Sequence, residues 1–318
     1  MFYNRLKNQL LDYYWHQLSK ILNYDPINNF IIFSEPRGGS TWVTEIISLI
    51  PRTAIIWEPL HLDYAKNFRE INFGWRQYIP ENYKWDEAYY LFQKVFSGKI
   101  LNTWTTQITD SRRLFNSKFL IIKFCRGNAL LPWLTKQFQF NKKPIYLLRH
   151  PFALLSSQMK HSGWSNMPDK ISFDIPNIPF NHIYNSHKEF LKTIKYKDEL
   201  LLVNWCITNT IVLDNKRNNI DWITLNYEDF VLEPKNTMTR IINEWNVDFD
   251  YKLLIKQINK RSITGDSRSP LKGMNQVKYW ESFLTQNQIN RLRRVLDYFN
   301  VKSYTTDPLP RISYTFEG

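Results

Sequence analysis

The amino-acid sequence predicts an α/β fold, a doubly wound parallel sheet of about five strands flanked by helices, and three observations carry that prediction. Five short runs rich in β-branched and aromatic residues are continuously apolar rather than alternating, the pattern of strands covered on both faces. Segments with helical spacing fall between them, as strand-helix-strand units require. Glycine is scarce, 9 among 318 residues, where average composition would give about 22, yet two glycines stand side by side at a strand-to-helix turn.

Taken in order, the chain opens with MFYNRLKNQLLDYYWHQLSKIL, whose apolar residues are interrupted by Arg5, Lys7, Asp12, His16 and Lys20. That pattern predicts an amphipathic helix over 1–25, packed on a single domain over 26–318, rather than a signal peptide. The strands are 30–33 (FIIF), 53–57 (TAIIW), 119–124 (FLIIKF), 144–148 (PIYLL) and 221–225 (DWITL). After the first, Trp42, Val43, Ile46, Ile47 and Ile50 recur at helical spacing until Pro51 stops them. Pro151 sits at a favoured first-turn position after the fourth strand. Helices are expected over 198–216 and 235–245, and Thr285 with Gln288 forms a capping-box pattern ahead of Ile289, Leu292, Val295 and Leu296. Two helical insertions, 62–117 and 161–197, are rich in aromatic residues.

Composition narrows the function classes. The chain is 43% hydrophobic, which excludes a disordered chain. Its two cysteines, Cys125 and Cys206, do not make a disulfide scaffold and fit a reducing, cytoplasmic compartment. No window reaches the roughly 18 uncharged apolar residues of a transmembrane helix. With 42 Lys and Arg against 29 Asp and Glu, the formal net charge is +13, so the partner is anionic. Nucleic acid, acidic lipid, acidic sugars and nucleotide phosphates all qualify, but no helix-turn-helix, zinc or RNP-like signature points to nucleic acid.

The glycine pair lies in Phe30-Ile-Ile-Phe-Ser-Glu-Pro-Arg-Gly-Gly-Ser-Thr-Trp42. A turn of small residues ending at a helix N-terminus offers free backbone N–H groups and the positive end of the helix dipole to an anion, with Arg37, Ser40 and Thr41 adding donors. A P-loop NTPase would need GxxxxGK[ST]. Here Gly39 stands where that lysine belongs.

Pro36-Arg-Gly-Gly-Ser-Thr-Trp42 instead resembles the 5′-phosphosulfate loop of sulfotransferases that use 3′-phosphoadenosine 5′-phosphosulfate (PAPS), commonly P-K-S-G-T-T-W. The resemblance implies that Arg37 takes the loop-lysine position as a planar fork rather than a compact ammonium. It also implies that Gly38, Gly39, Ser40 and Thr41 hold the 5′-phosphosulfate and that Trp42 stacks on adenine. Independently, Tyr146-Leu-Leu-Arg-His-Pro-Phe-Ala-Leu-Leu-Ser-Ser157 resembles the family's 3′-phosphate motif, with Ser157 eight positions after Arg149. Tyr227-Glu-Asp-Phe230 is similar to a segment lying beside the adenosine. Lys272-Gly273, followed by Trp280 and Phe283-Leu-Thr285, resembles the C-terminal segment that folds over the 3′-phosphate, although Leu271 replaces the usual preceding arginine. The matches run from about residue 30 to 300 and imply the sulfotransferase fold, with PAPS as sulfuryl donor, adenosine 3′,5′-bisphosphate (PAP) as product and no required metal.

An acceptor hydroxyl needs a general base. In steroid- and phenol-type members this is the histidine of a K-x-H segment, but here the segment is Lys123-Phe-Cys125. Carbohydrate-type members carry E-P-L/V at the end of the second strand, and this chain has Glu58-Pro-Leu-His61 there. Glu58 is the first candidate base and His61 the second, with His150 and His161 weaker. A carboxylate beside cations has its pKa lowered, which weakens it as a base. The comparison favours soluble bacterial enzymes that sulfate saccharides, lipids or secondary metabolites, so the expected partner is a small-molecule or saccharide acceptor. O- and N-sulfation both stay open, and the oligomeric state is not legible. The alternatives are an inactive sulfotransferase-like nucleotide-binding protein, a P-loop kinase and a nucleic-acid-binding module.

Overall fold

The computed structural model describes residues 2–265 and 273–314, the side chains of residues 2–6 excepted. Its centre is one all-parallel sheet of β1 (Phe30–Ser34), β2 (Thr53–Trp57), β3 (Phe119–Cys125), β4 (Ile145–Leu148) and β5 (Ile223–Asn226), in the order β2-β3-β1-β4-β5. The apolar continuity of these runs now has its cause. Successive side chains of a strand point to opposite faces, and each face meets its own core. Ile31, Phe33, Ala54, Ile56, Leu120, Ile122, Phe124, Tyr146 and Leu148 enter one. Phe30, Ile32, Ile55, Ile121, Ile145, Leu147, Ile223 and Leu225 enter the other. Burying a large apolar side chain contributes roughly 1.5–3 kcal/mol, so a polar residue in either alternating set would be costly.

Helices follow the strands as the spacing predicts. Helix α1 spans Phe2–Ile21 and docks through Leu18, while Leu10, Tyr13 and Ile21 stay exposed. Helix α2, Ser40–Ile47, follows β1. The helix Pro151–Lys160 begins on its proline. The helix Lys197–Leu213 corresponds to the one expected over 198–216, and Pro234–Trp245 to that expected over 235–245. The Thr285/Gln288 capping box opens Gln286–Tyr298. The last strand starts at Ile223 rather than Asp221, because Asp221 pairs with Arg217 and Trp222 turns inward to donate its Nε1–H to Asn218. Among the described residues no helix is long and apolar enough to cross a membrane.

The chain leaves β1 toward β2 and β3 on one side and crosses to β4 and β5 on the other. A crevice therefore opens beside β1 at the carboxyl ends of the strands, the usual ligand position in an open α/β sheet. The insertions border it. Within 62–117, Phe68, Phe73, Phe92 and Phe96 are core, while Trp104 reaches the crevice. From 161–197, Tyr184 is core and Trp164 reaches the crevice.

Candidate active site

A cavity of about 630 Å³ occupies this crevice. Its floor is the turn from β1 to α2. Arg37 and Gly39 both have left-handed backbone, at φ 69° and 92°. A Cβ at Gly39 would collide with the Tyr227 ring, and one at Gly38 with the Ser34 hydroxyl, so both glycines are there because other groups approach closely. Gly39 caps α2 without a side-chain hydrogen bond, and the Val43 N–H bonds back to the Gly39 carbonyl. The N–H groups of the helix's first turn have no earlier carbonyl within the helix to bond. Ser40 and Thr41 are buried in the cavity wall, with the Ser40 hydroxyl 3.8 Å from the Cys125 sulfur. Trp42 lines the cavity as well and packs edge-on against Tyr227 and Phe230.

On the β4 side, Arg149 donates from Nη1 to the Arg37 carbonyl at 2.8 Å and lays its guanidinium 4.6 Å from the Tyr227 ring centroid. Arg37 donates from Nε to the Ser157 hydroxyl at 3.1 Å and from Nη1 to the Thr264 carbonyl at 3.1 Å. The fork noted in the sequence thus links the loop, through two separate nitrogens, to the helix Pro151–Lys160 and to Thr264. Tyr227 also accepts a hydrogen bond from Gln276 at 2.6 Å. Gly273, at φ 71°, starts the helix Met274–Lys278, whereas Lys272 lies outside the described residues. Three polar atoms of residues lining this end are buried with no partner among the described residues: Arg149 Nε, Ser156 Oγ and Trp280 Nε1. A buried donor without an acceptor is costly, and three around one cavity suit an anion rich in acceptor oxygens.

Below this end lies a neutral histidine. His150 accepts the Phe152 N–H on Nδ1 at 3.1 Å, so its proton is on Nε2, which donates to the Asp307 carbonyl at 2.9 Å. Complete burial lowers its pKa to about 3, which makes it a helix cap rather than a base. Glu228 receives the His150 N–H and the Tyr304 hydroxyl, tying the end of β4 to the C-terminal segment.

The opposite end is built on β2 and β3. Glu58, with left-handed backbone at φ 38°, accepts from Lys123 Nζ at 2.6 Å, and Lys123 also sits 3.5 Å from the Trp57 ring centroid. Burial alone would raise the Glu58 pKa. The charge of Lys123, its hydrogen bond, a bond from Cys125 and the charge of Arg126 outweigh that and hold the carboxyl below its usual range. His61 follows on the same turn, its N–H bonded to the Glu58 carbonyl at 3.0 Å. Its ring is packed among Tyr64, Trp75 and Trp104, and its Nδ1 has no hydrogen-bond partner among the described residues. Burial, then the charge of Arg126, lower its pKa, so it is neutral at pH 7. His161 caps the short helix Ser162–Ser165 and lines the same wall. Cys125, in the position of the K-x-H histidine, has its thiol pushed up to about 12 by burial and by Glu58, and it is no base or nucleophile at neutral pH.

Twelve of the thirteen site candidates fall among the described residues, and ten of these line the one cavity: Arg37, Gly39, Ser40, Thr41, Trp42, Glu58, His61, Arg149, Ser157 and Tyr227. Gly38 shapes the loop and Gly273 starts the helix bearing Gln276. Sequence reasoning missed Ser156, Gln276, Glu45 and Arg126. Glu45 on α2 accepts from the Ser262 hydroxyl and the Ile263 N–H, pinning the segment that Arg37 also grips. The available signal for Arg126 was its place directly after Lys123-Phe-Cys125, at a strand's carboxyl end.

A sequence profile of the sulfotransferase domain matches residues 28–302. No curated protein matches the sequence. Among solved structures, the sulfotransferase domain from the Synechococcus PCC 7002 olefin synthase is 18% identical, over 88% of this chain and 96% of that one, with a TM-score of 0.46. A mouse sulfotransferase complexed with PAP is 11% identical, over 91% and 90%, with a TM-score of 0.46. The sulfotransferase domain from the curacin biosynthetic pathway is 15% identical, over 86% and 97%, with a TM-score of 0.42.

Proposed function

This chain belongs to the sulfotransferase family, and on that premise we propose that it moves a sulfuryl group from PAPS to a hydroxyl or amino nitrogen of a small molecule or saccharide. The observation that carries the reading is convergence. The β1–α2 turn, Arg149 with Ser157, and the Glu58-His61 turn come from three strand ends and line one cavity.

When bound, PAPS would supply the activated sulfuryl group. The unpartnered donors of Arg149, Ser156 and Trp280, with the Ser157 hydroxyl, fit its 3′-phosphate. Tyr227 and Trp42 suit the adenosine, and the first turn of α2 with Ser40 and Thr41 suits the 5′ end. Arg37, which bonds Ser157 and Thr264 at the mouth of the loop, is the cation that would stabilise developing charge on the departing phosphate. Glu58 takes the acceptor's proton as the acceptor oxygen bonds to sulfur. Its depressed pKa keeps it ionised, and Lys123 holds the carboxylate in place. A specific observation favours His61 as a second reading: it is neutral, and its buried Nδ1 has no hydrogen-bond partner among the described residues.

The test is transfer of labelled sulfate from PAPS onto pooled acceptors, alongside PAP binding in EDTA. Metal-independent PAP binding with little affinity for ATP supports the reading and excludes a kinase. PAP binding without transfer to any acceptor would instead mark an inactive nucleotide-binding relative.

A further inference from the structure

The acceptor end holds a cation with no ion-pair partner among the described residues. Arg126 leaves β3 in left-handed conformation at φ 63°, and its guanidinium lies between two indoles, 4.6 Å from the Trp75 ring centroid and 5.5 Å from that of Trp164. The two tryptophans come from the two different insertions. Among the described residues the guanidinium has no hydrogen bond or ion pair, and it lines the cavity. The nearby carboxylates are committed elsewhere. Glu35 is held by Arg76 at 3.0 Å and by the Thr208 hydroxyl at 3.0 Å, and Glu58 by Lys123. His61 and His161 are neutral at pH 7, both lowered first by burial. With Glu35–Arg76 and Glu58–Lys123 each balanced, Arg126 is left at the acceptor end with no ion-pair partner among the described residues.

A largely buried charge without a partner is unfavourable, and a planar guanidinium packed over two indoles keeps its edge for hydrogen bonds. That edge matches a carboxylate in bidentate geometry. Resting on the sulfotransferase reading above, we propose that the acceptor is a carboxylate-bearing hydroxy or amino compound, and that Arg126 is the residue that selects it. The carboxylate pairs with Arg126, and the cavity walls of Trp164 and Trp104 accept a flat or apolar body between it and the reacting group.

The probe is 6-hydroxy-2-naphthoate, compared with its methyl ester, titrated by calorimetry into PAP-saturated protein at neutral pH. The acid should bind about 10- to 100-fold more tightly than the ester, the range for one charged hydrogen-bonded contact. Arg126→Leu should erase the difference and Arg126→Lys keep part of it, with PAP affinity unchanged in both as the check on folding. If Arg126→Leu does not fold, Arg126→Gln takes its place. Equal binding of acid and ester, no binding of either, or a preference that survives Arg126→Leu overturns the proposal. Failure of the wild-type protein to bind PAP is a different result, and it overturns the nucleotide reading on which the proposal rests.

Discussion

The two ends of the cavity are made of different physics. The end around Arg149, Ser157 and Tyr227 is assembled from a tight turn, a strand end and a helix start, and three of its buried polar atoms have no hydrogen-bond partner among the described residues. The end around Glu58, Lys123 and Arg126 is walled by indole rings, with its charges paired to one another except at Arg126. On the proposed function the first would take a polyanion whose shape does not vary. The second is shaped by long insertions, where variation is cheap, and on the same reading it would decide what is modified. Changes at the first end should therefore appear in nucleotide binding, and changes at the second in turnover or acceptor choice.

The strongest way to break this contrast is to remove both arginines of the nucleotide end. Arg37→Ala with Arg149→Ala should weaken PAP binding by about 10²- to 10⁴-fold, from two charged contacts, and abolish transfer. Unchanged PAP affinity by calorimetry would mean that the nucleotide lies elsewhere. At the other end, Glu58→Gln should cut turnover by roughly 10²- to 10⁴-fold while PAP affinity stays put. If turnover survives and His61→Ala removes it, the two roles are exchanged. The pH profile separates them as well. With the Glu58 carboxyl held below its usual range, the rate should be flat through neutrality and fall only in acid. A histidine base would bring the fall up toward its ordinary value of 6.5.

A smaller effect is expected at Gly39→Ala, where left-handed backbone and the Tyr227 ring both oppose a Cβ. The strain of about 1–2 kcal/mol should lower PAP affinity and the melting temperature together, so a change in melting temperature alone would uncouple Tyr227 from the loop. The mildest change concerns His150. Its pKa is about 3 in the fold against 6.5 unfolded, so below pH 6.5 the unfolded chain binds a proton that the fold refuses. Stability is complete above 6.5 and declines as the pH falls toward 3, by at most about 1.4 kcal/mol per unit. Melting curves should show the decline, and His150→Gln should flatten it.

The same contrast governs what could be read from the sequence. Pro36 to Trp42 and Arg149 to Ser157 are contiguous stretches whose spacing encodes a turn and two helix turns, so a local pattern was enough. The sheet was legible for a similar reason, since burial on both faces leaves continuous apolar runs. The Arg126 sandwich was not. Trp75 and Trp164 lie far from it in the chain, and only the folded insertions bring them together. Glu58 stands out in the sequence as a candidate base, but its contact with Lys123 does not. Trp57–Lys123 register between β2 and β3 is what brings that pair into contact.

Arg37, Glu58 and Arg126 share one more property: each leaves a neighbouring strand with positive φ, a conformation that disfavours any residue with a Cβ. At roughly 1 kcal/mol each, these exits tie up a noticeable share of the stability of an ordinary domain. An engineer selecting for heat resistance alone would accept glycine or asparagine at all three. Such a protein would gain robustness by discarding the side chains argued to do the chemistry and choose the acceptor. A thermostabilised variant of this enzyme should therefore be built with those three positions held constant.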